Sequence, residues 1–181
     1  RASTPCPRAA SSGTRASNLL KTSFLRENLI YAVKYSENKD RDVVDMVKKL
    51  RGSGIIYVRS RRKSIDISRF LQQEGISAAY YNAGLEHAVR NEVQRNWTIG
   101  KTRIIVATNA FGMGIDKPDV RFVIHLDMPD SPEAYFQEAG RAGRDGSKSF
   151  AILLSSASDV TAVNQRIQVN FPDITTIKNT Y

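Results

Sequence analysis

From Asn28 onward, short apolar runs alternate with stretches in which apolar residues return every three or four positions. Residues 29–33, 55–58, 78–81, 103–107, 120–125 and 150–154 have strand length and are rich in β-branched or aromatic side chains. Val43, Met46, Val47 and Leu50 fall on one helical face, with Gly52 and Gly54 as the stop. Ile67, Phe70, Leu71 and Glu74 line a second helix, for which Ser60 is the N-cap and Gly75 the end. Val89, Val93 and Trp97 step at four along a third, closed by Gly100. Ser131-Pro132-Glu133 opens a fourth, with a capping hydroxyl, proline at the first helical position and an acid in the first turn. Residues 158–181 hold one more helix and a polar end. Strands alternating with amphipathic helices imply βαβ units, hence an α/β fold with a mainly parallel sheet and helices on both faces.

Composition refines this picture. A chain of 181 residues suffices for one α/β domain and its tails. Residues 1–18 carry no aliphatic side chain larger than alanine and read as a linker or disordered arm. The domain expectation is therefore an arm over 1–20, a core domain over 21–156 and a helical extension over 157–181. The net charge of +9 points to a polyanion, nucleic acid or nucleotide, although an acidic protein surface also fits. Cys6 is the only cysteine, so neither an internal disulfide nor a cysteine-rich zinc site is expected, and no metal site is assigned. No apolar run approaches the roughly 18 residues of a membrane span. With no secretory segment recognisable, the expected location is intracellular, either cytoplasmic at a bacterial nucleoid or nuclear.

Two glycine-containing stretches imitate phosphate loops. Gly100-Lys101-Thr102 has the end of a P-loop, but Arg95 stands where its first glycine belongs, and the triplet precedes a strand instead of following one. Gly112-Met113-Gly114 follows a strand, yet Pro118 blocks a helix there and a third glycine is missing. No Asp-Glu dipeptide supplies a Walker B pair. The sharper signal is Gln137 to Gly146, QEAGRAGRDG. If the helix begun at Ser131 continues, Gln137, Arg141 and Arg144 share one face near the rim of the sheet, where phosphates are usually bound. Gly140 and Gly143 then allow a nucleotide or another backbone to come close. Guanidinium groups fork onto phosphate oxygens and suit an arginine finger, whereas the plainer reading is two surface arginines at a helix end.

These residues resemble motif VI of superfamily 2 helicases in the RecQ form. Val106 to Asp116 (VATNAFGMGID), running on through KPDVRFV, is similar to motif V of that family. Gly54 to Ser60 (GIIYVRS) resembles motif IV, Tyr81 to Leu85 (YNAGL) the short signature after it, and Phe24 to Leu29 (FLRENL) the lead-in to the same domain. The resemblance implies the second RecA-like domain of an ATP-driven 3′-to-5′ DNA helicase, a P-loop NTPase fold without its own P-loop. The first domain, with P-loop and acidic motif, would hold ATP and Mg2+ and be this chain's partner, together with single-stranded DNA. By the same resemblance Arg141 and Arg144 would reach the γ-phosphate with Gln137 in support. Asp116, Gly114 and Gly140 would border the nucleotide, while Thr108 and Asn109 would touch the DNA backbone.

Arg59, Arg61, Arg62 and Lys63 form a cationic cluster at a helix start, where positive charge is mildly unfavourable. Phosphate contact by Arg59 and Ser60 is one reason to keep it, and a solvated helix face is the other. Asn82 stands where the family commonly has histidine, so it reads either as a DNA contact or as a turn residue before Gly84. His87 is expected at the surface, His125 in the core, and Trp97 in a core stripe. Two rival functions remain open: a superfamily 2 RNA helicase, whose motif VI more usually begins with histidine, and a stand-alone nucleic-acid-binding module.

Overall fold

The computed structural model describes residues 26–111 and 115–170, without the side chains of 168–170. The expected arm over 1–20, Phe24 and Leu25 of the lead-in, Gly114 and the polar end beyond Asn170 lie outside the described residues. In chain order the elements are β1 (Leu29–Tyr35), α1 (Lys39–Lys49), β2 (Ser53–Tyr57), α2 (Arg61–Gln73), β3 (Ala78–Tyr81) and α3 (His87–Thr98). There follow β4 (Ile104–Ala107), β5 (Val120–His125), α4 (Pro132–Ala139), β6 (Ser149–Ser155) and α5 (Ala157–Asn170).

All six strands lie parallel in one sheet, ordered β1-β6-β5-β2-β4-β3. The period-two alternation of β2 divides the core. Ile56 and Val58 face one side, with Val43, Val44 and Val47 of α1 and Ile67 and Leu71 of α2. Ile55 and Tyr57 face the other, with Trp97 of α3 and Ala139 of α4. This is the expected RecA-like layering, helices on both faces of a parallel sheet.

Caps act where the sequence places them. Ser60 Oγ accepts from the Lys63 N–H at 3.0 Å, and Ser131 Oγ accepts from that of Ala134 at 3.2 Å. Gly54 has a different role from the expected helix stop. It lies inside β2, and a Cβ there would fall 2.0 Å from the Phe122 ring. The turn itself is made by Gly52, at φ +83°.

The fourth helix corrects a larger expectation. It ends at Ala139 instead of running on through the arginines. Arg141 N–H donates to Glu138 O at 3.2 Å and Ala142 N–H to Ala139 O at 3.1 Å, three-residue turns that break the helical spacing. Gly143 then takes φ +62°, a conformation most side chains disfavour. Gln137, Arg141 and Arg144 therefore do not share one face: Gln137 is exposed, Arg141 is 9% exposed and Arg144 opens to solvent.

Candidate functional site

The chain leaves the carboxyl end of β4 at Ala107 and re-enters the sheet at the amino end of β5, Val120. The connection thus crosses the face that carries α3 and α4. After α4 the chain again stands at the amino ends of the strands. Gly143 N–H donates to Val120 O at 2.8 Å, and Asp145 N–H to Pro118 O at 3.2 Å. The expectation that the arginines sit near the phosphate-binding rim is corrected for their backbone, while the Arg141 side chain reaches back to Tyr57, the last residue of β2. Their turn lies at the opposite end, because α4 must descend the sheet before β6 can run parallel to its neighbours.

Three stretches singled out in the sequence meet on that face. Arg144 Nη1 donates to Ile115 O at 3.2 Å and pairs with Asp116 at 3.3 Å, joining motif VI to motif V. Tyr57, at the end of β2, donates its hydroxyl to Phe111 O at 2.9 Å. Burial pushes the Tyr57 phenol well above its ordinary range, opposed by the positive charge of Arg141, whose side chain also hydrogen-bonds to it. The Tyr57 ring stacks on that of His125, with centroids 5.2 Å apart, and His125 Nε2 lies 2.8 Å from the Glu138 carboxylate. Motifs IV, V and VI are thus tied together by side chains.

The glycines of the turn serve this chain's own packing. A Cβ on Gly143 would meet Asn28 Nδ2 at 2.6 Å, Ser149 Oγ at 2.7 Å and Ser147 O at 2.9 Å, so the close approach there is intramolecular. At Gly140 a Cβ would meet the carbonyl of Phe136 at 2.9 Å.

The residues expected to touch DNA cluster at the carboxyl ends of the strands. Asn109 and Arg59 line a cavity of about 150 Å3 that also includes Asp127, Asp130 and Glu138. Three carboxylates make this a poor cradle for phosphate. The Arg59 guanidinium is already bound to Asp130 and to Met128 O, and Lys63 pairs with Asp127 at 2.8 Å. Outward charge in the cluster therefore rests with exposed Arg61 and Arg62. Arg62 is paired only loosely, 3.6 Å from Asp66. Ser60 is exposed. Thr108 is 6% exposed, its N–H donating to Tyr81 O and its carbonyl accepting from Phe111 N–H.

Asn82 takes the place of its alternative reading, the turn residue before Gly84. It is 3% exposed; Nδ2 donates to Ser64 Oγ at 3.0 Å and Oδ1 accepts from Gly84 N–H at 2.9 Å. Trp97 and His125 are core residues and His87 is exposed. Sequence reasoning missed Tyr57 as a partner of Arg141 and Glu138 as the partner of His125. The available signal was their position inside motifs IV and VI; what hid them is that the contact exists only after β2, β5 and α4 are stacked.

The two guanidiniums have different anchors on this face, Arg144 on motif V at Ile115 O and Asp116, and Arg141 on the Tyr57 hydroxyl. Among the described residues no three His, Cys, Asp or Glu side chains gather where they could hold a metal ion, and no helix is long and apolar enough to cross a membrane.

Residues 38–146 match the family of the helicase conserved C-terminal domain. The RecQ-like DNA helicase blm-1 of Caenorhabditis elegans is 43% identical over 157 residues, covering 84% of this chain and 16% of that protein. The ATP-dependent DNA helicase RecQ of Bacillus subtilis is 43% identical over 144 residues, 79% of this chain and 24% of that protein. This chain thus spans a quarter or less of the length of these two relatives. Among solved structures, the E. coli DEAD-box protein SrmB, bound to regulator of ribonuclease activity A, superposes with a TM-score of 0.65 at 31% identity. That match covers 77% of this chain and 85% of the other.

Proposed function

Because this chain belongs to the helicase conserved C-terminal domain family, in its RecQ-type form, we propose that it is the second motor domain of an ATP-dependent 3′-to-5′ DNA helicase. ATP, held with Mg2+ mainly by a first RecA-like domain of the same parent protein, supplies the phosphoryl transfer that drives the motor. Arg141 and Arg144 offer it positive charge from across the interdomain cleft, as arginine fingers do. Asp116 holds the Arg144 guanidinium in place until phosphate oxygens compete for it. Exposed Gln137 supports the network, and Gly114 and Gly140 border it. Single-stranded DNA lies along the strand ends, where exposed Arg61 and Arg62 meet its phosphates beside Ser60 and Asn109; Arg59, held by Asp130, and buried Thr108 shape that edge from within. A protein working on DNA in this way acts in a nucleus or at a bacterial nucleoid.

The observation that carries this reading is the bridge from Arg144 to Ile115 O and Asp116, which fastens the arginine turn to motif V. In the parent protein, Arg141→Ala and Arg144→Ala are each expected to lower DNA-stimulated ATP turnover by about a thousandfold or more. In thermal denaturation Arg144→Ala, at an exposed side chain, should melt like wild type, while Arg141→Ala, which strips a partner from the buried Tyr57 hydroxyl, should fold but melt lower. Wild-type turnover in both variants would sink the finger assignment.

A further inference from the structure

We propose that Arg26 and Asn28, on the segment leading into β1, are positioning residues that set the aim of the motif VI arginines; this rests on the finger reading above. The turn after α4 has short backbone bonds of its own, Gly146 N–H donating to Gly143 O at 3.1 Å. Gly140 and Gly143 contribute no side chains to it, and beyond the helix end its carbonyls keep room for further donors. These arrive from the far side of the sequence. Arg26 Nη1 donates to Gly140 O at 3.0 Å, and its Nη2 donates to Gly143 O. Asn28 Nδ2 donates to the same Gly143 O at 2.7 Å and to Ser147 O at 3.0 Å. The two carbonyls gripped by Arg26 bracket Arg141, and Arg144 follows directly after the second.

This clamp is rigid because its base is the sheet. The Asn28 carbonyl accepts from Ser149 N–H at 2.8 Å, which starts the pairing of β1 with β6 at Leu29 and Ser149. The Arg26 carbonyl accepts from Leu29 N–H at 3.1 Å. A guanidinium presents its donors in a fixed planar fork, so two carbonyls bound to one arginine are held at a set separation. An amino group on a flexible stem cannot impose that separation. Asn28 also occupies the space a Cβ on Gly143 would need, which locks the turn from beneath. Neither residue reaches the nucleotide cleft by any contact in the structure; both act through Arg141 and Arg144.

The test uses the full-length parent helicase with Arg26→Lys, Asn28→Asp, Arg141→Ala and Arg144→Ala, singly and combined. Asn28→Asp keeps the shape and removes the donor. Loss of aim should lower kcat for DNA-stimulated ATP hydrolysis by about 10- to 100-fold in each of the first two variants. KM for ATP and affinity for single-stranded DNA should stay within about twofold, because a misaimed finger costs transition-state contact and little ground-state binding. Adding either change to a background carrying both Arg141→Ala and Arg144→Ala should produce little further loss, since both act through those two guanidiniums. Unchanged kcat in Arg26→Lys and Asn28→Asp, beside an inactive Arg141→Ala, overturns the clamp and leaves the finger reading standing. A full further loss in the combined variants, or a fall in melting temperature that accounts for the loss of kcat, overturns it as general damage. Wild-type turnover in Arg141→Ala removes the finger reading and this inference with it.

Discussion

Asn82 shows how a single buried amide decides between two roles. Its side chain caps the loop after β3 from both ends, accepting from Gly84 N–H and donating to Ser64 Oγ on α2. Truncating it removes both bonds, although the Ser64 hydroxyl still donates to Arg61 O at 2.6 Å, at a cost of about 1 kcal/mol. Asn82→Ala is thus expected to lower the unfolding free energy from urea titration by that much while single-stranded DNA affinity stays at the wild-type value. A DNA-binding defect with unchanged stability would restore the contact role. The turn reading was legible from Asn-Ala-Gly alone, because asparagine before glycine is local chemistry. Tyr57 was not legible in that way. It is one more apolar-periodic residue of a strand until the packed sheet brings Phe111 O and Arg141 to its hydroxyl.

At the level of elements, strand and helix positions followed from local pattern nearly throughout, since each face of the sheet receives whole amphipathic stripes. The exception was the end of α4, where the heptad-like placing of Gln137, Arg141 and Arg144 suggested a continuous helix. Two glycines weaken the helix there, and bonds donated by Gly143 and Asp145 to the carbonyls of Val120 and Pro118, close in space only after folding, reward the turn instead. The same turn predicts a pH dependence. Asp145 is held below the usual carboxylate range first by its hydrogen bond from Arg121, then by the Ser147 N–H. A depressed native pKa means the bond's contribution is present above the unfolded value, about 3.9, and is lost as pH falls through the native one. Asp145→Asn should therefore be less stable than wild type at pH 7 and approach it near pH 3 in denaturant titrations. A gap that stays constant from pH 7 to pH 3 would remove the Arg121 pair from the account.

On the proposed reading the molecule as a whole brings one share of what phosphoryl transfer requires. Such a site needs backbone amides and a lysine around the phosphates, a carboxylate for the metal, and cationic charge from the opposite side. Arg141 and Arg144 would supply the last. The lookalike Gly100-Lys101-Thr102 has its amides engaged in closing α3: Gly100 N–H donates to Trp97 O and Thr102 N–H to Asn96 O, each at 3.1 Å. With those donors satisfied and Gly100 at φ +82°, the segment is a helix-to-strand turn and cannot also wrap a phosphate. Charge, by contrast, is in excess, at +9 over the chain. The isolated chain is accordingly expected to bind single-stranded DNA with an affinity that falls steeply as salt rises, each neutralised phosphate adding roughly 0.7 to the logarithmic slope. In the same preparation Mg2+-dependent ATP hydrolysis should stay at the buffer background. Hydrolysis clearly above background that disappears in Arg141→Ala would show a complete site within these residues, and the division of labour between two domains would have to be given up.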